Sequence, residues 1–297
     1  MSLTQQERDE LHEVLARTGG PRESMLQARV IPEDYLAYMG MVDREELVFE
    51  EKGIVPVRVI ITKAKDCGKG CPVHVNMHGG GFILPQNIDD DRYCAHVAAG
   101  IRGIVVDIDY AKSDEHPFPA AFDQCYAVVR WVFAHAAMWG GDVRRVSLGG
   151  HSAGGNLVEA IAIKSTRTKD FKVCLQVLDY AATDNSLALL PDGLERSRAF
   201  SLFYVDGEVQ LLKDPFVSPA YAPDELFEGQ PDALVISAGL CPFVSVNGTY
   251  ALRLAGKGVK VTIKGYPQSH HGFTVRLLDA WREAQGTIIE AIKAASL

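Results

Sequence analysis

The chain carries 297 residues, of which 47% are hydrophobic and 23% charged, enough apolar material for one substantial core. A formal net charge of −8 with no run of lysine or arginine argues against a nucleic-acid surface, so the expected partners are a small molecule and, at most, a second copy of the chain as a homodimer. Six cysteines (Cys67, Cys71, Cys94, Cys125, Cys174 and Cys241) are too sparse for a disulfide framework, and Cys67 and Cys71 lack the second ligand pair of a zinc site, which points to reduced thiols and no metal.

In chain order, MSLTQQERDELHEVL is charged and amphipathic, predicts a helix over roughly 4 to 17, and lacks the apolar h-region of a signal peptide. No uninterrupted apolar run reaches membrane-spanning length, so the expectation is a cytoplasmic protein that does not use a membrane. A looser stretch with Gly19, Gly20, Pro21 and Pro32 follows. VPVRVIIT (55–62) then alternates as a half-exposed strand does. PVHVNMH (72–78), GIVVDID (103–109), RRVSLGG (144–150), KVCLQVLDY (172–180), DALVISA (232–238) and VKVTIKG (259–265) are short, mostly apolar and bounded by turn or charged residues, as strands are. Helical patterns lie between them, among them AAFDQCYAVVRWVFAHAAMW (120–139), AGGNLVEAIAIK (153–164) and the C-terminal FTVRLLDAWREAQGTIIEAIKAA.

Strands alternating with helices imply crossover units and a mostly parallel central sheet with helices on both faces, the α/β class. Between about 181 and 231 the rhythm breaks: Pro191, Pro215, Pro219, Pro223 and Pro231 surround a helical patch at SRAFSLFYV, with no clear strand. A long insertion of this kind between core strands commonly carries function, often as a lid.

Two glycine-rich motifs carry the chemistry. Gly150-His151-Ser152-Ala153-Gly154 fits G-x-S-x-G, in which a serine sits on a sharp turn between strand and helix and presents its hydroxyl to an acyl carbon. RRVSL before it and an apolar helix after it supply that setting, and a side chain at Gly150 or Gly154 would collide across the turn. MHGGGF (77–82) directly follows the strand PVHVN. Its glycines let backbone N–H groups approach a ligand, and with the N–H of Ala153 they suit the oxyanion of a tetrahedral intermediate. A general base is expected late in the chain, and YPQSHHGF (266–273) supplies His271, with His270 as a bystander. His78, Asp109 and the Glu115-His116 pair read as residues that tie loops together.

These segments resemble the hormone-sensitive-lipase-like branch of the α/β-hydrolases, carboxylesterases of short acyl esters, over most of the chain. HGGGF is similar to that family's oxyanion motif, DYAKSDEHPFPAAFDQCYAVVRWV (109–132) to its DYRLAPEHPFPA segment, and GGDVRRVSLGGHSAGGNL to its elbow. DPFVSPAYAPDEL (214–226) resembles the return from cap to core, and SHHGF the family's LHGF. The resemblance implies an α/β-hydrolase fold over residues 1–297 with a helical cap from about 1–45 and 185–215. It also implies Ser152 as nucleophile, His271 as base, and Gly80, Gly81 and Ala153 as oxyanion donors.

One position departs. Where the family carries its acid in G-x-D-P-L, this chain reads SAGLCPFVSV, and Cys241 takes the place of the aspartate, thirty residues before His271. A neutral thiol is a poor acceptor for an imidazole N–H. Three readings follow: Asp184, just past KVCLQVLDY, substitutes as the acid; Ser152 and His271 act as a dyad; or catalysis is lost and the pocket binds a ligand. His151, where the family has an acidic residue, and Ala181, where it tends to have proline, depart as well. The expectation is a serine hydrolase cleaving small carboxylic esters without a cofactor, with a non-catalytic ligand-binding homologue as the alternative.

Overall fold

A computed structural model describes residues 2–27, 29–191 and 193–297. Its strands are β1 (Val42–Phe49), β2 (Val57–Ala64), β3 (Cys71–Met77), β4 (Ile104–Asp109), β5 (Gly141–His151), β6 (Leu175–Asp179), β7 (Asp232–Ala238) and β8 (Val261–Tyr266). They form one eight-stranded sheet in the order β1-β2-β4-β3-β5-β6-β7-β8. The β1/β2 and β2/β4 pairs are antiparallel, and every later pair is parallel. The seven strands read from the sequence are all present, with ends within three residues of those expected.

The helices are α1 (Gln5–Gln27), α2 (Glu33–Leu36), α3 (Ile88–Ile101), α4 (Ala120–His135), α5 (Ala153–Thr168), α6 (Glu195–Tyr204), α7 (Val244–Gly256) and α8 (Trp281–Ala294). Strands enclosed on both faces read as apolar runs, and β3 is buried at all of its seven positions. On one face Val59, Val75, Val106, Leu148 and Val235 pack with Val128 of α4, Leu157 of α5 and Ala251 of α7. On the other, Val105, Val177 and Ile236 pack with Val97 of α3 and Ile288 of α8. No described helix is long and apolar enough to cross a membrane. All six cysteines are free thiols, and five of them are buried.

The sheet contains one strand not expected from the sequence. VDREELVF forms the outer strand β1, whose centre is exposed, so its charges face water and blunt an open sheet edge. The cap boundary of residue 45 therefore falls inside the sheet. Residues 33–41 also lie against the body of the protein, where Tyr35 is 1% exposed and its ring packs on His96 at 5.2 Å and Trp281 at 5.0 Å.

α1 lies against the segment that follows residue 185. α1 packs along α6 through an Arg8–Asp206 ion pair, an Arg17–Glu195 pair at 2.9 Å, and a His12–Phe203 ring contact at 4.7 Å. α1 runs through Gly19-Gly20-Pro21, beyond the expected end at residue 17.

Candidate active site

The end of β5 sets the position of Ser152. Its φ of 54° and ψ of −116° place it in a conformation that a non-glycine residue adopts at a cost of about 1–3 kcal/mol, and α5 begins at the next residue. Hydrogen bonds hold the turn: Ser152 N–H donates to the Asp179 carbonyl at 3.0 Å, and the Ser152 carbonyl accepts from Ala182 N–H at 3.0 Å and Asn156 N–H at 3.1 Å. A Cβ on Gly154 would lie 1.9 Å from the Met77 carbonyl oxygen, and one on Gly150 would lie 2.4 Å from the Gly154 carbonyl carbon. Gly150 is therefore required for the turn to close on itself, and Gly154 for it to press against the end of β3.

The loop after β3 runs beside this turn. Gly80 and Gly81 have φ of 128° and 62°, which only glycine adopts freely. The Gly80 carbonyl is used within the loop, accepting from Ile83 N–H at 3.2 Å and Leu84 N–H at 3.0 Å. Ala153 is the first residue of α5, so its N–H has no acceptor within the helix. A Cβ on Gly81 would lie 2.3 Å from the ring of Phe200, so α6 rests directly on this loop.

His78 anchors the loop from behind. Its Nδ1 lies 2.7 Å from the Gly79 carbonyl, and its ring stacks on Tyr110 at 4.3 Å. Asp109 completes the anchor by bonding Lys112 Nζ at 2.7 Å and Gln86 N–H at 3.2 Å. Burial raises the Asp109 pKa, but bonds from His78 and Lys112 outweigh it and hold the carboxyl well below its ordinary range.

The loop after β8 carries His271, whose Nε2 lies 2.8 Å from Ser152 Oγ. The imidazole is packed edge-on against Tyr180, centroids 4.9 Å apart, and against Phe243 at 5.8 Å. Its other nitrogen, Nδ1, lies 3.1 Å from Cys241 Sγ. His270 turns away and pairs with Asp279 at 3.2 Å.

Asp184 does not meet the histidine as a third member. Its carboxylate accepts from Ser186 N–H at 2.9 Å and Ser186 Oγ at 2.6 Å, capping the short 3-10 helix Asn185–Leu189. An aspartate just before a turn of helix satisfies that turn's free amides, while Cys241, in the loop after β7, faces Nδ1. The sequence reading also missed a buried His151–Asp179 pair directly beneath the elbow, with His151 Nδ1 3.0 Å from Asp179 Oδ2. Its signal was the one carboxylate in the mostly apolar run KVCLQVLDY.

Residues 74–275 match the family described as the alpha/beta hydrolase fold. The chain belongs to this family. Among relatives of this alpha/beta hydrolase, Esterase LipI of Mycobacterium tuberculosis is 32% identical over 212 residues, covering 68% of this chain and 65% of LipI, just under two thirds of its length. Carboxylesterase NlhH of the same organism is 32% identical over 237 residues, covering 75% of this chain and 74% of that protein. A hyperthermophilic esterase from Pyrobaculum calidifontis superposes with a TM-score of 0.79 at 27% identity, covering 99% of each chain.

Proposed function

We propose that this alpha/beta hydrolase cleaves small carboxylic esters through an acyl-enzyme formed on Ser152. The observation that carries the reading is the 2.8 Å approach of His271 Nε2 to a serine hydroxyl held at a strained strand-to-helix turn. That arrangement has little structural use, and it is what an activated hydroxyl nucleophile needs. Kinship with proteins named esterase and carboxylesterase supports the same conclusion.

The reaction follows from the geometry. Ser152 Oγ attacks the ester carbonyl carbon while His271 Nε2 takes the hydroxyl proton. The carbonyl oxygen, now anionic, is held by N–H groups of Gly80, Gly81 and Ala153, each such donor being worth about 10² to 10³ in rate. The intermediate collapses by breaking the bond to the alcohol, which leaves with the proton from His271. Water then attacks the acyl-serine by the same route in reverse order of roles, and carboxylic acid departs. No step calls for a cofactor. We place the cap in α1, α6 and the segment 185–215, with Phe200 at its contact with the oxyanion loop. The free thiols support a reducing, cytoplasmic setting.

The test is hydrolysis of p-nitrophenyl acetate and butyrate by wild type and by Ser152→Ala near pH 7.5. Turnover by wild type and a fall to the buffer rate in the variant support the reading. Equal rates remove it for these esters.

A further inference from the structure

The group that faces His271 from behind is a sulfur, and its surroundings are built rather than incidental. Cys241 lies in the connection from β7 to α7, and that connection is fastened to the histidine loop: Leu240 N–H donates to the Ser269 carbonyl at 3.0 Å and Gly239 N–H to the Tyr266 carbonyl at 2.9 Å. A Cβ on Gly239 would lie 2.3 Å from the Pro267 carbonyl oxygen, so the two loops are in direct backbone contact. Cys241 is 4% exposed. Two nitrogens converge on its sulfur: His271 Nδ1 at 3.1 Å and Phe243 N–H at 3.4 Å. Phe243 is the residue at the mouth of α7, where helix amides favour negative charge.

The proton inventory decides what the sulfur does. For His271 Nε2 to receive the Ser152 proton it must be unprotonated, so the neutral imidazole carries its hydrogen on Nδ1. That hydrogen points at Sγ, as does the Phe243 N–H. We propose that Cys241 is the positioning residue of this site, accepting the Nδ1–H of His271 on sulfur, and that its thiolate is the form that supports fast turnover. The inference rests on the hydrolase reading above. A thiol orients the ring; a thiolate orients it and also places a negative charge beside the imidazolium of the transition state.

The fully active state, neutral His271 beside thiolate Cys241, is reached when the pair has lost two protons. Catalysis accordingly rises with pH in two steps, where a carboxylate in the same place gives one. Among the described residues, the other titratable neighbours do not supply the second step. Tyr180, just after β6, and Tyr266 of β8 are pushed above the ordinary tyrosine range, in each case chiefly by burial. The Asp179 carboxyl is turned to His151 and Thr274, and His270 and Asp279 pair at the exposed side of the loop. Arg276, beside Gly272, is a fixed positive charge throughout the range.

The experiment is kcat/KM for p-nitrophenyl acetate from pH 6 to 9.5 for wild type, Cys241→Ser, Cys241→Ala and Cys241→Asp, with Ser152→Ala subtracted at each pH. The thiolate share of Cys241 grows with pH, and wild type is expected to climb about tenfold or more between pH 7 and pH 9. Cys241→Ser keeps an acceptor that does not ionise, and Cys241→Ala keeps none; both are expected to level off after the histidine step. Cys241→Asp is expected to exceed wild type at pH 7 by tenfold or more and to lose the alkaline rise. A wild-type profile that levels off with Cys241→Ser, or a Cys241→Ala profile that still climbs, overturns the proposal and leaves the hydrolase reading standing. Wild-type rates equal to those of Ser152→Ala remove the hydrolase reading itself, and the proposal with it. If Cys241→Asp fails to fold, the comparison of wild type with Cys241→Ser decides the matter alone.

Discussion

His151 and Asp179 stand side by side in register at the ends of β5 and β6, Nδ1 of one 3.0 Å from Oδ2 of the other, and both are buried. Resemblance to the esterases leads one to expect an acidic residue at 151; in this chain the carboxylate sits one strand over and histidine answers it. Burial pushes the Asp179 carboxyl up, and bonds from His151 and Thr274 offset only part of that. The pair lies immediately beneath the elbow, since the Asp179 carbonyl also accepts the Ser152 N–H at 3.0 Å.

Removing His151 leaves Asp179 bonded by Thr274 but without its histidine, and removing Asp179 takes the partner from a buried His151 Nδ1, each at a cost of about 1–3 kcal/mol. Asp179→Leu and His151→Leu are each expected to lower stability by an amount of that order in urea unfolding. The double variant should fall short of the sum of the two by about 1–3 kcal/mol. Additive losses would show that the two side chains do not act as a pair.

Glu159, in the middle of α5, is 1% exposed, and burial pushes its carboxyl well above the ordinary range although Thr183 hydrogen-bonds it. Thr183 Oγ1 lies 2.8 Å from Glu159 Oε1 and 2.8 Å from Asn247 Oδ1, yet a hydroxyl has one proton to give. A protonated Glu159 donating to Thr183 completes the chain. The folded-state pKa being raised, the contribution of Glu159 to stability is fully present below the unfolded carboxyl range and is lost as pH rises toward the folded value. The loss runs at up to about 1.4 kcal/mol per pH unit within that window. Glu159→Gln keeps the head group without the ionisation. Its melting temperature relative to wild type is expected to rise from pH 4.5 to pH 8, and a constant difference would count against a buried neutral acid.

Gly81 brings the loop after β3 against α6, because its missing side chain makes room for Phe200. Gly81→Ala is expected to cut kcat/KM for p-nitrophenyl butyrate at least tenfold, by displacing an N–H donor or the α6 ring. Adding Phe200→Ala relieves the clash but not the backbone strain of a φ of 62°, so partial recovery is the expected result. No recovery would place the whole effect in the backbone.

Asp184 caps a short helix through Ser186. Asp184→Asn, which keeps a capping oxygen, is expected to leave kcat/KM within about twofold and stability within about 1 kcal/mol. A fall of a hundredfold or more would return Asp184 to the catalytic machinery.

Much of this architecture was legible because the physics is local. Buried parallel strands read as apolar runs, and the elbow and HGGGF loop announce themselves through glycines that no other residue can replace. β1 was not legible, since VDREELVF alternates poorly and owes its strand to pairing with β2 rather than to a buried face. α3 was missed as well; Asp89, Asp90 and Asp91 hide its apolar side, although Asn87 and Asp90 form the reciprocal capping box that marks a helix start. At the site, sequence order located Ser152 and His271 but could not choose among acids. That choice depends on which strand end faces Nδ1 across the sheet, a relation set by the packing of β7 against β8 and invisible in one dimension.

Covalent trapping asks whether Ser152 is a nucleophile activated by His271. Wild type, Ser152→Ala and His271→Ala are incubated with a fluorophosphonate at pH 7.5, followed by intact mass and peptide mapping. The expected result is one adduct per wild-type chain, on the peptide containing Ser152, none on Ser152→Ala, and labelling slowed at least a hundredfold on His271→Ala. An unlabelled wild type, or equal labelling of wild type and Ser152→Ala, would contradict the account.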